Sequence, residues 1–236
     1  TFDFAGHGRN PKPLTGSITQ AEGATRTLVD ETARVAAKAR GLGDGRLAVL
    51  GHSMATDIIV RFAQGTPDIA ATVAVSMFSP VVTATTPRNL LVIVGEWEGG
   101  LKQEALRVAG LVSAPQPAEP GATYGDVASG TARRVAVSPH TEHVSVLYST
   151  ASLREAVEWL DAAFGRTGQG PAGIESPGPS ILLLLAGVVA LAYPLSSLLP
   201  VVTSRPAGAG LPWRRIWLPL LLPALLTPFV LRVVPT

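Results

Sequence analysis

The feature that most constrains the fold of this 236-residue chain is a run of 22 uncharged residues at positions 181–202. A helix of that length extends about 33 Å, which matches the roughly 30 Å hydrocarbon core of a bilayer. A buried helix of a soluble domain rarely continues that far without one charged side chain. The run therefore predicts a transmembrane helix, and with it an integral membrane protein whose partner is the lipid bilayer.

A second apolar run occupies residues 214–234 and contains three prolines. It is compatible with a tilted span, a re-entrant segment or a truncated helix. Arg205, Arg214 and Arg215 lie between or at the edge of the two runs, and the positive-inside rule assigns such a loop to the cytoplasm. We therefore expect the region before residue 181 to lie on the extracytoplasmic side.

The chain divides by composition into three predicted parts. Residues 1–165 alternate short apolar runs with amphipathic segments, which is typical of an α/β domain with a mostly parallel sheet covered on both faces. Residues 166–180 are rich in Gly, Pro and Ser, which predicts a flexible linker. Residues 181–236 then form the membrane region.

Short runs rich in Val and Leu predict the strands of the sheet. These runs lie at residues 46–50, 71–78, 89–95 and 132–138, and residues 1–4 are expected to end a further strand. Helices are predicted at residues 19–39, at residues 54–64, and from Ser152, where a capping box with Glu155 is expected. The expected buried stripe of that last helix is Leu153, Val157, Leu160 and Phe164.

Composition argues against several kinds of site. A formal net charge of +2 provides no dense basic surface for nucleic acid. The absence of cysteine rules out disulfides, thiolate metal ligands and a Cys nucleophile. His140, Glu142 and His143 form an H-x-E-H cluster, but they lack the helical spacing of a metal motif. We expect neither a metal nor another cofactor.

The run RLAVLGHSMATDIIVRF holds a serine between a predicted strand and a predicted helix. A serine hydroxyl is a weak nucleophile unless a base accepts its proton, and a tight strand-to-helix turn between small residues exposes it. Gly51 and Ala55 are the small residues on either side of Ser53, with Ala55 where G-x-S-x-G has its second glycine. Ser53 is therefore the candidate nucleophile, and His52 is expected to be structural.

This elbow, together with the run DFAGHGRN near the start of the chain, resembles the α/β-hydrolase superfamily over residues 1–165. The resemblance implies an α/β-hydrolase fold without its N-terminal strands, followed by one or two transmembrane helices. Many members carry a similar D-x-x-G-H-G turn, so Asp3, Gly6, His7 and Gly8 would shape the rim of the site. We favour the interpretation that this turn is a glycine-built loop without a catalytic role.

The resemblance also implies the order nucleophile, acid, histidine along the chain. The usual glycine-x-x-acid spacing from Gly95 leads to Glu98, with Glu96 as the alternative acid. After the last strand, the resemblance favours His143 as the base, with His140 as the alternative. A glutamate suffices because the acid only has to orient the imidazole and stabilise its charged form.

In this family the oxyanion hole combines the amide after the nucleophile with a donor from an earlier loop. The first donor is here the N–H of Met54, and the second would precede Thr1. Because the chain begins without Met or a signal peptide, we expect a fragment that is inactive by itself. The short segment at residues 79–88 leaves no room for a lid domain, which predicts an open site.

These residues predict a membrane-anchored, esterase-like serine hydrolase that cleaves an ester, thioester or amide through an acyl-enzyme on Ser53. Its partner would be a small-molecule or acyl substrate. A serine at position 53, instead of aspartate, favours acyl chemistry over that of haloalkane or epoxide hydrolases. Two alternatives are an acyltransferase with the same triad and a hydrolase-like domain that binds without catalysis.

Overall fold

The computed structural model describes residues 2–17, 22–166, 173–200 and 211–233. The chain divides into two compact units, Thr1–Leu183 and Leu184–Thr236. The first unit contains a sheet of five strands: β1 (Leu47–His52), β2 (Ile69–Val75), β3 (Leu90–Gly95), β4 (Thr123–Tyr124) and β5 (Arg133–Ser138). Four helices accompany the sheet: α1 (Ala24–Arg40), α2 (Ala55–Gln64), α3 (Gly99–Ser113) and α4 (Thr150–Ala163).

The strand order across the sheet is β1-β2-β3-β5-β4. β1, β2, β3 and β5 run parallel, and the two-residue β4 pairs antiparallel with β5. The carboxyl ends of four parallel strands therefore meet at one edge of the sheet, where open α/β sheets bind their ligands. The loops that follow these strands contain the candidate residues.

Both faces of the sheet are covered by helices. Along β3, Leu90, Val92 and Val94 pack in a core cluster with residues of α2 and α3. The alternate residues Leu91 and Ile93 pack in a second cluster with residues of α4. This alternation follows from the two-residue repeat of a strand, and every residue of β3 is buried, as expected in a parallel sheet. The predicted layered α/β architecture is confirmed.

The four predicted internal strands are present with shifted ends, but two expectations about the start of the chain were wrong. Residues 2–4 do not form a strand, and Thr1 lies outside the described residues. The first helix begins at Ala24, and the predicted residues 19–21 lie outside the described residues. The sequence analysis also missed α3 and β4.

The predicted capping box of the last helix was wrong. α4 begins at Thr150 with Ser149 as its N-cap, so Ser152 lies inside the first turn and is buried. Glu155 does not reach back to the helix start, because its carboxylate binds the guanidinium of Arg134 at 3.1 Å. The helix therefore starts earlier than the Ser-x-x-Glu pattern indicated.

The buried stripe of α4 also differs from the prediction. Its buried residues are Ser152, Ala156 and Trp159, and the indole N–H of Trp159 donates to the backbone oxygen of Asn89 at 2.8 Å. The predicted stripe residues are half-buried beside this line: Leu153, Val157, Leu160 and Phe164. The large Trp159 ring determines which face of the helix meets the sheet.

Two apolar helices follow, α5 (Gly178–Ser196) and α6 (Trp213–Val233). Among the described residues, α5 is the one helix long and apolar enough to cross a membrane, with 19 residues and a mean hydropathy of 1.9. α6 is a helix of 21 residues, and its assignment as a second span stays a prediction. Arg205, on which the predicted topology partly depends, lies outside the described residues.

Candidate active site

Ser53 lies in a tight turn between β1 and α2. Its φ of +54° is in the left-handed region, which is uncommon for a residue with a side chain. The N–H of Ser53 donates to the Val75 oxygen at 2.9 Å, and the Ser53 oxygen accepts the N–H of Thr56 at 2.9 Å. A Cβ on Gly51 would lie 3.0 Å from the Ala55 oxygen, so the turn needs a residue without a side chain there. This is the geometry of a nucleophile elbow.

The three predicted triad residues come together at the carboxyl edge of the sheet. Ser53 Oγ lies 2.8 Å from His143 Nε2, and His143 Nδ1 lies 2.6 Å from Glu98 Oε1. They follow β1, β5 and β3 respectively, so residues far apart in sequence form one chain of hydrogen bonds. Such a chain allows the imidazole to accept the serine proton while the carboxylate fixes its orientation.

The carboxylate of Glu98 is held by two further donors. Its Oε2 accepts the N–H of Gly95 at 2.7 Å and the hydroxyl of Ser76 at 2.8 Å. The Glu98 side chain is nearly fully buried, which leaves Oε1 directed at His143. Sequence reasoning missed Ser76, which follows β2 and has a φ of +51°. Its only sequence signal is its position after a strand at the same edge of the sheet.

Hydrogen bonds also order the turn that presents His143. The Glu142 carboxylate accepts the N–H groups of Val144 and Ser145, both at 2.8 Å, and the first of these is the larger cause of the lowered pKa of Glu142. His52 Nε2 lies 2.8 Å from the His143 oxygen, and the two imidazole rings are 4.7 Å apart. His52, expected to be structural, thus bonds the base loop to the elbow.

The alternative acid and base pair with each other. Glu96 Oε2 accepts the N–H of His140 at 2.8 Å and lies 3.5 Å from His140 Nδ1. Both side chains are exposed, and neither forms a hydrogen bond with Ser53 within the described part of the chain. The structure therefore brings Glu98 and His143, rather than Glu96 and His140, to the nucleophile.

The glycine-rich turn near the chain start is built around Asp3. The Asp3 carboxylate accepts the N–H of Arg9 at 3.0 Å, and a Cβ on Gly8 would overlap that carboxylate. The N–H of Gly6 donates to the Lys12 oxygen at 2.7 Å. The cavity beside Ser53 is not lined by this turn as far as the described residues extend, so a role at the rim stays a prediction.

A cavity of about 490 Å³ opens beside Ser53 and His143. Its wall is largely apolar, with Leu28, Ile58 and Phe78 among its residues. Polar residues interrupt it, among them Thr25 and Asp57, whose carboxylate accepts the Ser79 hydroxyl at 2.7 Å and pairs with Arg61 Nε at 2.8 Å. The site can therefore take an apolar group next to the nucleophile.

Nothing in the described residues groups three or more His, Asp or Glu side chains as a metal site would. The side chains that the structure brings together at this edge are a serine, an imidazole and a carboxylate. No protein-family model, curated protein or solved structure matches this chain.

Proposed function

We propose that this chain is a membrane-anchored serine hydrolase of the α/β-hydrolase superfamily, which cleaves an ester, thioester or amide through an acyl-enzyme on Ser53. The observation that carries the proposal is the chain of short contacts from Ser53 Oγ to His143 and from His143 to Glu98. Chance seldom gives a serine, a histidine and a buried carboxylate this order and spacing on an elbow with a left-handed serine.

In the first half-reaction, Ser53 Oγ attacks the substrate carbonyl while His143 Nε2 accepts its proton. Glu98 holds Nδ1–H and stabilises the imidazolium that forms. The imidazolium then returns the proton to the leaving group, and the acyl group stays on Ser53 as an ester. In the second half-reaction, His143 deprotonates water, which attacks that ester. The bond to Ser53 Oγ breaks, the acid leaves, and the imidazolium returns its proton to Ser53 Oγ.

The negative charge that develops on the carbonyl oxygen needs donors oriented beforehand. The N–H of Met54 is one such donor, because Met54 is the N-cap of α2 and the first amides of a helix have no partner within it. The positive end of the α2 dipole acts in the same direction. We assign the first oxyanion donor to Met54.

The membrane part of the proposal rests on α5, which has no charged residue and has 19 residues of high hydropathy. The extracytoplasmic location of the site rests on the arginines near α6. A topology reporter fused just after α4 tests that location. Reporter activity characteristic of the cytoplasm would contradict it.

A fluorophosphonate probe tests the activity, because it phosphonylates only a serine whose proton is accepted by a base. The full-length protein in native membranes is compared with Ser53→Ala, His143→Ala and the control Ser129→Ala, which alters an exposed serine in the loop before β5. We expect labelling of the wild type and the control, none of Ser53→Ala, and at least about 100-fold slower labelling of His143→Ala. Wild-type protein that is not labelled, or labelling that survives Ser53→Ala, would favour a binding domain without catalysis.

A further inference from the structure

Large apolar side chains are exposed at only a few places among the described residues of 2–166. They are Phe2, Leu42, Leu50, Met54, Phe78, Trp97, Leu111 and Val144. Four of these follow the carboxyl ends of β1, β2, β3 and β5, at the edge that holds Ser53. We name Met54, Phe78, Trp97 and Val144, which are 45%, 63%, 65% and 55% exposed, the apolar collar.

Three of the four residues of the apolar collar are direct sequence neighbours of the triad residues. Met54 directly follows Ser53, Val144 directly follows His143, and Trp97 directly precedes Glu98. Each triad residue therefore has a large apolar neighbour that is 45–65% exposed. No other edge of the sheet shows such a concentration within the described residues.

Backbone hydrogen bonds hold the collar loops to the site. The N–H of Trp97 donates to the Thr141 oxygen at 3.1 Å, which links the acid loop to the base loop. The N–H of Phe78 donates to Thr56 Oγ1 at 3.3 Å, which links its loop to the nucleophile helix. Met54 and Phe78 also line the cavity beside Ser53, so the collar continues into the apolar wall of that cavity.

We propose that the apolar collar docks on a lipid surface, and that the site takes its acyl substrate from that surface. The inference rests on the proposed function and names its substrate class, a lipid-borne acyl ester. Lipid is the favoured occupant because the same chain contains α5, which already requires an apolar environment, so this protein resides where lipid is available. Trp and Phe are also the side chains that settle at a bilayer interface.

The charged groups beside the collar favour a neutral or zwitterionic lipid. They are Glu96, paired with the imidazole of His140, and Glu142, whose carboxylate is held by backbone amides. Two arginines also line the cavities that include Phe78, but Arg61 and Arg107 are each paired with a carboxylate of their own helix, at 2.8 Å and 2.6 Å, so neither offers an unpaired charge to anionic headgroups. We therefore expect docking to phosphatidylcholine, without a requirement for anionic lipid.

Single-cysteine labelling tests the docking, because the chain contains no other cysteine. Trp97→Cys and Val144→Cys carry an environment-sensitive fluorophore in the full chain, reconstituted in phosphatidylcholine vesicles that contain a nitroxide-labelled lipid. Leu42→Cys is the matched control, since Leu42 is 84% exposed and lies before β1, at the opposite edge of the sheet.

We expect the lipid quencher to reduce fluorescence at positions 97 and 144 at least twofold more than at position 42. Equal quenching at all three positions, or none at 97 and 144, overturns the inference. Fluorophores at positions 97 and 144 that are shielded from water but not quenched by the lipid also overturn the inference, and indicate a protein partner instead. None of these outcomes depends on turnover, so a failure of the proposed function would be detected separately by the phosphonate probe.

The double variant Trp97→Ser and Val144→Ser tests the substrate class. We expect it to hydrolyse a soluble short-chain ester within about threefold of the wild type, and a long-chain ester in vesicles at least about tenfold more slowly. Equal rates on the vesicle substrate, or equal losses on both substrates, would overturn delivery from the lipid surface.

Discussion

Replacing Glu98 by Gln tests whether the carboxylate selects the tautomer of His143. Oε2 of Glu98 accepts two donors, the N–H of Gly95 and the hydroxyl of Ser76. In Glu98→Gln, the amide oxygen must occupy that position, because an NH₂ group there would face the fixed N–H of Gly95. The NH₂ group then faces His143 Nδ1, which lies 2.6 Å from the other carboxylate oxygen.

An imidazole whose Nδ1 accepts a hydrogen bond must have its proton on Nε2. Nε2 lies 2.8 Å from Ser53 Oγ, so in this tautomer it can no longer accept the serine proton. The opposite amide orientation would leave the Gly95 N–H buried without an acceptor, at a cost of about 1–3 kcal/mol. The equivalent exchange in serine proteases reduces kcat by about 10⁴, or roughly 5.5 kcal/mol. We expect a loss of about 10³ to 10⁴ here.

The rate of fluorophosphonate labelling measures this loss, and Glu98→Ala supplies the comparison. Alanine removes the carboxylate but leaves His143 free to adopt either tautomer, so Glu98→Ala should react faster than Glu98→Gln. A steric or stability explanation predicts the reverse order, because glutamine preserves the shape and the two donors. Labelling of Glu98→Gln at the wild-type rate, or faster than that of Glu98→Ala, would refute the tautomer argument.

Three further predictions concern the surroundings of the triad. Ser76→Ala removes one charge-assisted donor to Glu98, so labelling should slow about tenfold, and an unchanged rate would exclude a positioning role. Gly95→Ala should slow labelling at least about 100-fold, because the alanine Cβ would lie 2.6 Å from the Thr141 oxygen and displace the loop that holds His143. Labelling of this variant at the wild-type rate would contradict the prediction. Burial lowers the pKa of Arg133 to about 10, well below its ordinary value, so its charge costs about 3 kcal/mol in the folded state below pH 10, and that cost declines as the pH rises above 10. Arg133→Met should therefore raise the thermal midpoint at pH 7, and a lower midpoint would refute this.

The sequence predicted the sheet because short runs rich in Val and Leu are typical of buried parallel strands. It missed β4, whose two residues form a strand only through pairing with β5. It missed α3, which begins with Gly99 and Gly100 and buries mostly small side chains. It misplaced the start of α4 because a local Ser-x-x-Glu pattern carried no information about the packing of Trp159.

The sequence predicted the candidate residues of the site, but it could not decide between the two candidate acids or between the two candidate bases. Glu96 and Glu98 are two residues apart, and only the fold decides which carboxylate points into the sheet and which points to solvent. His140 and His143 are also close in sequence, and only the fold decides that His143 reaches Ser53 while His140 pairs with Glu96. Ser76 could not be found at all, because its contact with Glu98 joins two strands and leaves no local pattern.

Ser53 and Ser76, which contact His143 and Glu98 respectively, both have a strained backbone conformation. Within the described part of the chain, four residues other than glycine have a left-handed φ: Ser53, Ser76, Asn89 and His140. Three of them follow the carboxyl ends of β1, β2 and β5, and such a conformation costs about 1–2 kcal/mol for each residue. The hydrogen bonds and packing of the flanking strands offset that energy. Buried, fully paired strands are thus what hold the hydroxyls of Ser53 and Ser76 towards His143 and Glu98. Weakening the β2–β3 core should therefore reduce labelling of Ser53 before it unfolds the domain.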